Sequence, residues 1–545
     1  MMASSSSSSS PEIEIVSDSN DPANSSEKAN RIDIIDVYTA SAYGDLQKLK
    51  SFVEQDKDRV SLSTPDGNGY YALQWAALNN FADIMLYIID HGGDVNAADN
   101  TKQTALHWAA VRGSIAAADV LLLNGARVEA SDMNGFRAVH VAAQYGQTSL
   151  LNHIVAKYGA DFDAPDNEGR SPLHWAAYKG FTDTVRLLLF RDASQERQDK
   201  QGCTPLHWGA LTGNVETCAV LVHAGTKEEL MVKDNAGVTP AQLASDKGHQ
   251  HVALFLSNAQ RAYAKSREEK GLIGRLSGIG YAPILFSIVC ISTILFINSV
   301  MFAPNLPKIT AVLGLWGWTA VSSALAALVM FHRCSSKDPG YISKSAKLSD
   351  HHIKEEDQLV KFDINNFSGL TGNWSQLCPT CKILRPVRSK HCPICKHCID
   401  QFDHHCPWIS NCVGKRNKWD FFVFLCLGTL TSILAAFVSI ERIRTVTPWG
   451  GLQLMIVNHP GVVALLGMDA LIFIASTTLT IIQASQIGRN LTTNEVANAG
   501  RYTYLRGPDG KFRNPYNRGF RKNCTDFLIH GHTSDAPHHK QHLHI

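Results

Sequence analysis

Thr104-Ala105-Leu106-His107-Trp108-Ala109-Ala110 is written again as Ser171-Pro172-Leu173-His174-Trp175-Ala176-Ala177 and as Thr204-Pro205-Leu206-His207-Trp208-Gly209-Ala210. Weaker copies stand at Tyr71-Ala72-Leu73-Gln74-Trp75-Ala76-Ala77, Arg137-Ala138-Val139-His140-Val141-Ala142-Ala143 and Thr239-Pro240-Ala241-Gln242-Leu243-Ala244. The glycines that follow, Gly113, Gly146, Gly180, Gly213 and Gly248, keep a spacing of 33 to 35 residues. A period of that length is one helix–turn–helix unit that cannot bury its apolar face alone, so copies must stack. The pattern predicts an α-helical solenoid over residues 36–262, of about seven units with a degenerate first one around Ala40–Gly44.

The repeats resemble ankyrin repeats, whose T-P-L-H-x-A signature they carry. The resemblance puts Trp75, Trp108, Trp175 and Trp208 at the start of each inner helix, bordering a concave groove. An aromatic row there suits gripping an extended partner segment; packing against the next repeat is the equal alternative. Trp108 is the candidate recruiting residue, with Asn79, which follows Trp75 on its helix, as a hydrogen-bonding companion.

Outside the repeats the composition changes. The 545 residues hold 51 Lys+Arg against 49 Asp+Glu, a net charge of +2, which excludes nucleic-acid binding through bulk positive charge. Charged residues make up 18% of the chain, below the ~25% of soluble proteins. Four apolar stretches account for the deficit: Tyr281–Phe302, Ile309–Phe331, Phe421–Ile440 and one within Gly461–Ile487, each long enough to cross a bilayer. Asp469 interrupts the fourth, and a span starting near Ala470 would leave it at the interface. Arg261, Lys265, Arg267, Lys270, Arg275, Arg333, Lys337, Lys415, Arg416, Lys418 and Arg489 flank the spans on one side, which makes both termini and the long middle loop cytosolic. The expected layout is a disordered serine-rich tail (1–35, without the features of a signal peptide), the repeats (36–262), a basic juxtamembrane linker (263–280) and two spans (281–331). A cytosolic loop (332–420), two more spans (421–487) and a cytosolic, histidine-rich tail (488–545) complete it.

Seven of thirteen cysteines crowd between Cys378 and Cys412, which reads as metal binding in a reducing compartment. Two quartets fit one template, C-x2-C-x9-H-x6-C: Cys378, Cys381, His391 and Cys398, then Cys392, Cys395, His405 and Cys412, each shifted by 14 residues. Three thiolates and an imidazole suit a closed tetrahedral zinc site, so two structural Zn²⁺ are expected, although spacing alone leaves other pairings open. His397 has no place in the template. Cys406 is left over, since a third copy would place its next ligands at Ile409 and Trp419. With His405 given to metal, His404 is free to act as base to Cys406 and Asp403 to orient it, the constellation of an activated nucleophile. The alternative is an unused cysteine beside a capping acid.

Asp403-His404-His405-Cys406 in such a loop, between the second and third of four spans, resembles the DHHC-type protein S-acyltransferases, in their ankyrin-repeat subgroup. The match extends to Arg385-Pro386-x-Arg388-x-x-His391-Cys392, Cys406-Pro407-Trp408-x-x-Asn411-Cys412-Val413-Gly414, Asp338-Pro339-Gly340, Thr492-Thr493-Asn494-Glu495 and Asn514-Pro515-Tyr516-Asn517, and so covers nearly everything from Asp36 to Cys524. It implies transfer of a palmitoyl or related acyl group from acyl-CoA to Cys406 and then to cysteines of cytosol-facing protein substrates. It further implies a multi-pass protein of Golgi or related endomembranes, with the plasma membrane or endoplasmic reticulum as the alternative, zinc modules that hold Cys406 at the membrane face, and no nucleic acid among its partners. Arg385, Arg388 and Lys390 are candidates for the CoA phosphates, with solvated loop charge as the alternative. Two rivals remain: a non-enzymatic membrane scaffold and an ankyrin-bearing channel. The late loop Glu441–Pro460 lacks a filter-like motif for the latter.

Overall fold

The computed structural model describes residues 34–55, 62–268, 280–303, 309–342, 374–444, 456–457 and 459–535. Fourteen helices form seven pairs in the first half: α1 Val37–Tyr43 with α2 Leu46–Gln55, α3 Ala72–Leu78 with α4 Ala82–Asp90, and α5 Ala105–Arg112 with α6 Ile115–Leu123. Then come α7 Ala138–Gln144 with α8 Thr148–Tyr158, α9 Pro172–Lys179 with α10 Thr182–Phe190, α11 Pro205–Leu211 with α12 Val215–Ala224, and α13 Pro240–Asp246 with α14 Gln250–Glu268. Alanines and leucines of successive units, among them Ala109, Leu121, Ala142, Leu151, Ala176 and Leu188, bury one another in a single apolar core.

The repeated histidine has a local job and a long-range one. In α5, Nδ1 of His107 accepts from the backbone N–H of Thr104 (3.2 Å), which fixes the proton on Nε2; Nε2 then donates to Phe136 O of the following unit (2.9 Å). His140, His174 and His207 repeat both contacts, reaching Arg170 O, Cys203 O and Val238 O. Gln74 reproduces them with its amide: Oε1 accepts from Tyr71 N (2.8 Å) and Nε2 donates to Gln103 O (2.7 Å). The signature is therefore a backbone cap at one end and a bolt to the next repeat at the other.

The tryptophans of these helices each donate Nε1–H to an aspartate nine residues earlier: Trp75 to Asp66, Trp108 to Asp99, Trp175 to Asp166 and Trp208 to Asp199. Where the fourth unit has Val141 the row breaks. Tyr70, Trp75 and Trp108 form one edge-to-face group, and Phe136, Trp175, Tyr178 and Trp208 another in which the two tryptophans are tilted at 43°, with the Arg170 guanidinium 4.7 Å over Trp175.

Among the described residues four helices are long and apolar enough to cross a membrane: Ala282–Met301, Ala311–Ser336, Lys418–Arg444 and Pro460–Arg489. The second and third overrun their apolar stretches because the charges there satisfy one another. Asp420, at the foot of the third, pairs with Arg333 (3.1 Å) and Lys337 (2.7 Å) at the foot of the second. The helix of the fourth span starts earlier than its apolar run and carries Asp469 inside it. It begins at Pro460, and Gly461 is so close to Ser299 of the first span that a Cβ there would lie 2.4 Å from the Ser299 hydroxyl. Asp469, eight residues on, is about 12 Å further along the helix, half-buried within the span and near Ser432 of the third span.

Between the second and third spans lie three two-stranded antiparallel hairpins: β1 Leu377–Cys378 with β2 Ile383–Leu384, β3 Lys390–Cys392 with β4 His397–Ile399, and β5 His404–Cys406 with β6 Asn411–Val413. Their turns repeat every 14 residues as Cys-Pro-x-x-x, and the fifth residue is left-handed each time: Lys382 (φ 54°), Lys396 (φ 57°) and Ser410 (φ 52°). Gly414 follows β6 where Pro339 O passes; a Cβ there would sit 2.5 Å from that oxygen, so only glycine lets the two strands of chain cross.

Candidate active site

Each hairpin turn supplies two ligand positions and the next hairpin supplies two more. Cys378 and Cys381 of the first turn thus meet His391 of β3 and Cys398 of β4, while Cys392 and Cys395 of the second turn meet His405 of β5 and Cys412 of β6. Within each set the ligand atoms all lie within 4.8 Å of one another. Sγ to Nδ1 distances are 3.6, 3.3 and 3.8 Å in the first set and 3.8, 3.4 and 3.5 Å in the second. A tetrahedral ion with Zn–S ≈ 2.3 Å and Zn–N ≈ 2.05 Å requires edges of roughly 3.6 Å, so both sets suit zinc. His397 stays outside both; its ring bonds Cys395 O (2.7 Å) and faces Tyr341.

The third turn opens with Cys406. Its strand, β5, and the residue before it bring Asp403, His404 and Cys406 together. Asp403 is fully buried, and its carboxylate accepts from His404 Nδ1 (2.7 Å), Lys418 Nζ (2.8 Å), Thr493 N (3.0 Å), Thr493 Oγ1 (2.7 Å) and Gln483 Nε2 (3.3 Å). A carboxylate only accepts, so the His404 proton sits on Nδ1, and the ring also hydrogen-bonds Cys406. Burial alone would push the Asp403 carboxyl up; the Lys418 ammonium and the His404 bond more than offset it and hold the group well below the usual carboxylate range. Burial likewise pulls His404 down, but its bonds to Asp403 and Cys406 win and raise it to about 9. For Cys406 burial raises the thiol and His404 lowers it, with a net shift below the ordinary value. The two shifts run in the same sense, each group favouring the charged form of the other.

Cys406 packs with Phe331, Cys334, Ile409, Val413, Phe421 and Leu425, an apolar cluster among the ends of the spans. Ile409, standing where a third metal site would need a ligand, is one of its buried members. Pro407 O accepts from Tyr281 N (2.9 Å) at the start of the first span, and Ser410 Oγ from Ala282 N (3.3 Å). Asn411 Nδ2 donates to Cys334 O, Ser335 O and Lys337 O, capping the second span.

The short helix Thr493–Ala497 after the fourth span straps this assembly. Thr493 grips Asp403, and Asn494 accepts from Lys390 Nζ (3.0 Å). Glu495 takes both Arg388 Nε (2.7 Å) and Nη2 (2.9 Å). Arg388 and Glu495 are each 1% exposed in their side chains, and Arg388 also bonds Asn490 and lies 4.6 Å from the Tyr516 ring. Arg388, expected to face CoA phosphates, is thus committed to an internal pair. Arg385 is committed too: Nε donates to Gln376 O (3.1 Å) and Nη2 to Ser375 O (2.6 Å). Lys390 is half-buried beside Asn494. In the repeats, Trp108 is 8% exposed and bonded to Asp99, and Asn79 Nδ2 donates to Ala42 O (3.0 Å) and Trp75 O (3.3 Å).

From the sequence, Lys418 is only a flanking charge and Thr492-Thr493-Asn494-Glu495 only part of the resemblance, with no role at Asp403 for either, and Gln483 is not singled out. Gln483 is a polar side chain in the last two turns of the fourth span, which is a signal in itself.

The sequence matches the DHHC palmitoyltransferase family over residues 372–500 and ankyrin repeats over 37–132 and 139–231. It is 57% identical over 532 residues to "Probable protein S-acyltransferase 23" of Arabidopsis thaliana, spanning 96% of this chain and 98% of that one. It is 28% identical to "Palmitoyltransferase ZDHHC17" of Danio rerio, over 90% of this chain and 87% of the relative, and 28% identical to "Palmitoyltransferase Hip14" of Drosophila melanogaster, over 90% and 85%.

Proposed function

The chain belongs to the DHHC palmitoyltransferases and is a protein S-palmitoyltransferase that carries ankyrin repeats, and from that premise we propose that acyl-CoA is its donor, Cys406 its acyl carrier and the ankyrin stack its means of recruiting protein substrates. The observation that carries the reading is the line Asp403–His404–Cys406, a buried carboxylate bonded to a histidine that is bonded to a thiol at the mouth of an apolar cluster between the spans.

Cys406 thiolate attacks the thioester carbonyl of acyl-CoA; a bond forms from Cys406 Sγ to the acyl carbon and the bond to the CoA sulfur breaks. The departing thiolate takes the proton held on His404 Nε2. His404, now neutral, accepts the proton of an acceptor cysteine, whose thiolate takes the acyl group and frees Cys406. Asp403 keeps the Nδ1 proton in place throughout and stabilises the imidazolium. One thioester replaces another, so positioning and thiolate supply are the enzyme's main tasks. The acyl chain favours the apolar side of the site at ~0.8 kcal/mol per buried CH₂.

Cys378, Cys381, His391 and Cys398 would hold one zinc ion and Cys392, Cys395, His405 and Cys412 a second; closed sites of this kind supply rigidity. Lys390 is the basic residue of the three candidates left to meet a CoA phosphate. The long loop and both termini face the cytosol, as the positive flanks of the spans favour. Purified protein given a fatty acyl-CoA should acquire a hydroxylamine-sensitive adduct at Cys406; an adduct that survives Cys406→Ser would overturn the assignment.

A further inference from the structure

The first hairpin does not touch the nucleophile; it is bound to the repeats. Trp374 (7% exposed) and Leu377 (1%) are buried in the same apolar cluster as the repeat core. Arg385 holds the Trp374–Gln376 turn against the hairpin through Ser375 O and Gln376 O. From the turn itself, Thr380 Oγ1 donates to His223 O (3.2 Å), and Lys382 Nζ donates to Leu189 O (2.6 Å) and Phe190 O (3.2 Å) and pairs with Asp192 (2.6 Å). Leu189 and Phe190 close α10, where the helix dipole favours a cation; Leu189 O also accepts from Asp192 N (3.2 Å). All these acceptors lie on or just after the second helices of their units, whereas the tryptophans sit on the first helices.

We propose that the hairpin Leu377–Leu384 is the docking site of the ankyrin stack, and that occupancy of the Cys378/Cys381/His391/Cys398 site governs how firmly the stack is held relative to Cys406. The docking atoms and the ligands are interleaved: Leu377 precedes Cys378, Thr380 lies between Cys378 and Cys381, and Lys382 follows Cys381. An ion tying both cysteines to His391 and Cys398 orders every docking atom at once; in its absence the turn must be ordered by docking alone. The stack would then stand at a fixed offset from the active site, with its tryptophan-bearing helices turned away from the hairpin. The proposal rests on the recruitment reading only for its effect on transfer, because docking is measurable without a substrate.

Hydrogen exchange on the full, zinc-loaded chain in detergent tests it. Lys382→Glu sets a carboxylate against Asp192 and the α10 carbonyls; amides of Leu187–Ala193 and Trp374–Leu377 should exchange roughly tenfold faster or more. Two zinc ions per chain and self-acylation of Cys406 should persist, while transfer to a protein substrate falls. Lys382→Arg should keep the protection. Cys381→Ser should lose one zinc ion and show the same faster exchange, whereas Cys412→Ser should lose the other ion and leave those amides protected. Unchanged exchange in Lys382→Glu would overturn the docking, and protection retained in Cys381→Ser would overturn its control by metal. Faster exchange with undiminished transfer would overturn the link to transfer and count against recruitment, with the docking itself upheld.

Discussion

At Cys378-Pro379-Thr380-Cys381-Lys382 the chain makes a turn that it makes again at Cys406-Pro407-Trp408-Ile409-Ser410, ending on φ 54° in one and 52° in the other. In the first, both cysteines face a metal set, and Lys382 caps the end of α10. In the third, Ile409 takes the place of a ligand and is buried between spans, Cys406 is left outside both metal sets and free for the chemistry proposed for it, and Asn411 caps the end of the second span. The two turns share a backbone and each ends a helix that belongs to another part of the chain. What separates them is the residue at the fourth position and the helix that each one meets. On the proposed reading, a metal-binding turn becomes a nucleophile turn when it loses a ligand and gains a histidine bonded to a buried carboxylate beside the surviving cysteine.

The sharpest way to break this comparison uses Cys392 and Cys406, each of which follows a ligand histidine. Cys406→Ser should keep two zinc ions and normal expression but form no acyl adduct. Cys392→Ser should lose its zinc ion and destabilise the loop around it, since structural zinc binding contributes ~10 kcal/mol or more to folding. Metal analysis and acyl labelling of the purified variants decide it; zinc loss in Cys406→Ser with Cys392→Ser fully loaded would reverse the two roles.

Next in size is the bolt that joins the hairpins to the strap after the fourth span. Arg388→Ala leaves Glu495 charged and buried, so a loss of about 3–5 kcal/mol is expected in denaturant unfolding. Arg388→Lys cannot reproduce the two-pronged contact and should recover only part of it. A loss below 1 kcal/mol would mean that the strap is held by Thr493 and Asn494 instead.

Acid should act on the side of the first hairpin through the repeats. Burial, the largest influence, pulls His140 and His174 down to about 4. Unfolded histidine titrates near 6.5, so between these values the unfolded state binds more protons. The stability from each neutral ring is therefore complete above about pH 6.5 and is lost as pH falls toward 4, costing ~2 kcal/mol per ring at pH 5. His140→Gln, which copies Gln74, should remove one ring's share; equal acid sensitivity in parent and variant would refute the assignment of Nε2 as a permanent donor.

The smallest effect belongs to the aromatic row. Trp108→Phe keeps the ring and removes the bond to Asp99, at ~1 kcal/mol. Trp108→Ala should reduce acylation of a protein substrate while Cys406 still acylates itself. Loss of both together would assign Trp108 to packing alone.

The 33-residue period, the 14-residue shift of the cysteine template and the four apolar runs were legible because each is a short-range pattern that one stretch of chain must satisfy by itself. The same reasoning singled out Cys406, by counting ligands rather than by seeing a site. It could not supply partners that lie far apart along the chain. Asp403 is held by Lys418, Gln483 and Thr493, Arg388 by Glu495, and Lys382 by α10. Nothing local in Arg385 or Arg388 distinguishes a phosphate contact from an internal clamp, since a guanidinium serves either. That choice fell to tertiary packing, which removes some cations from water and obliges them to find acceptors inside the fold, and leaves others at the surface.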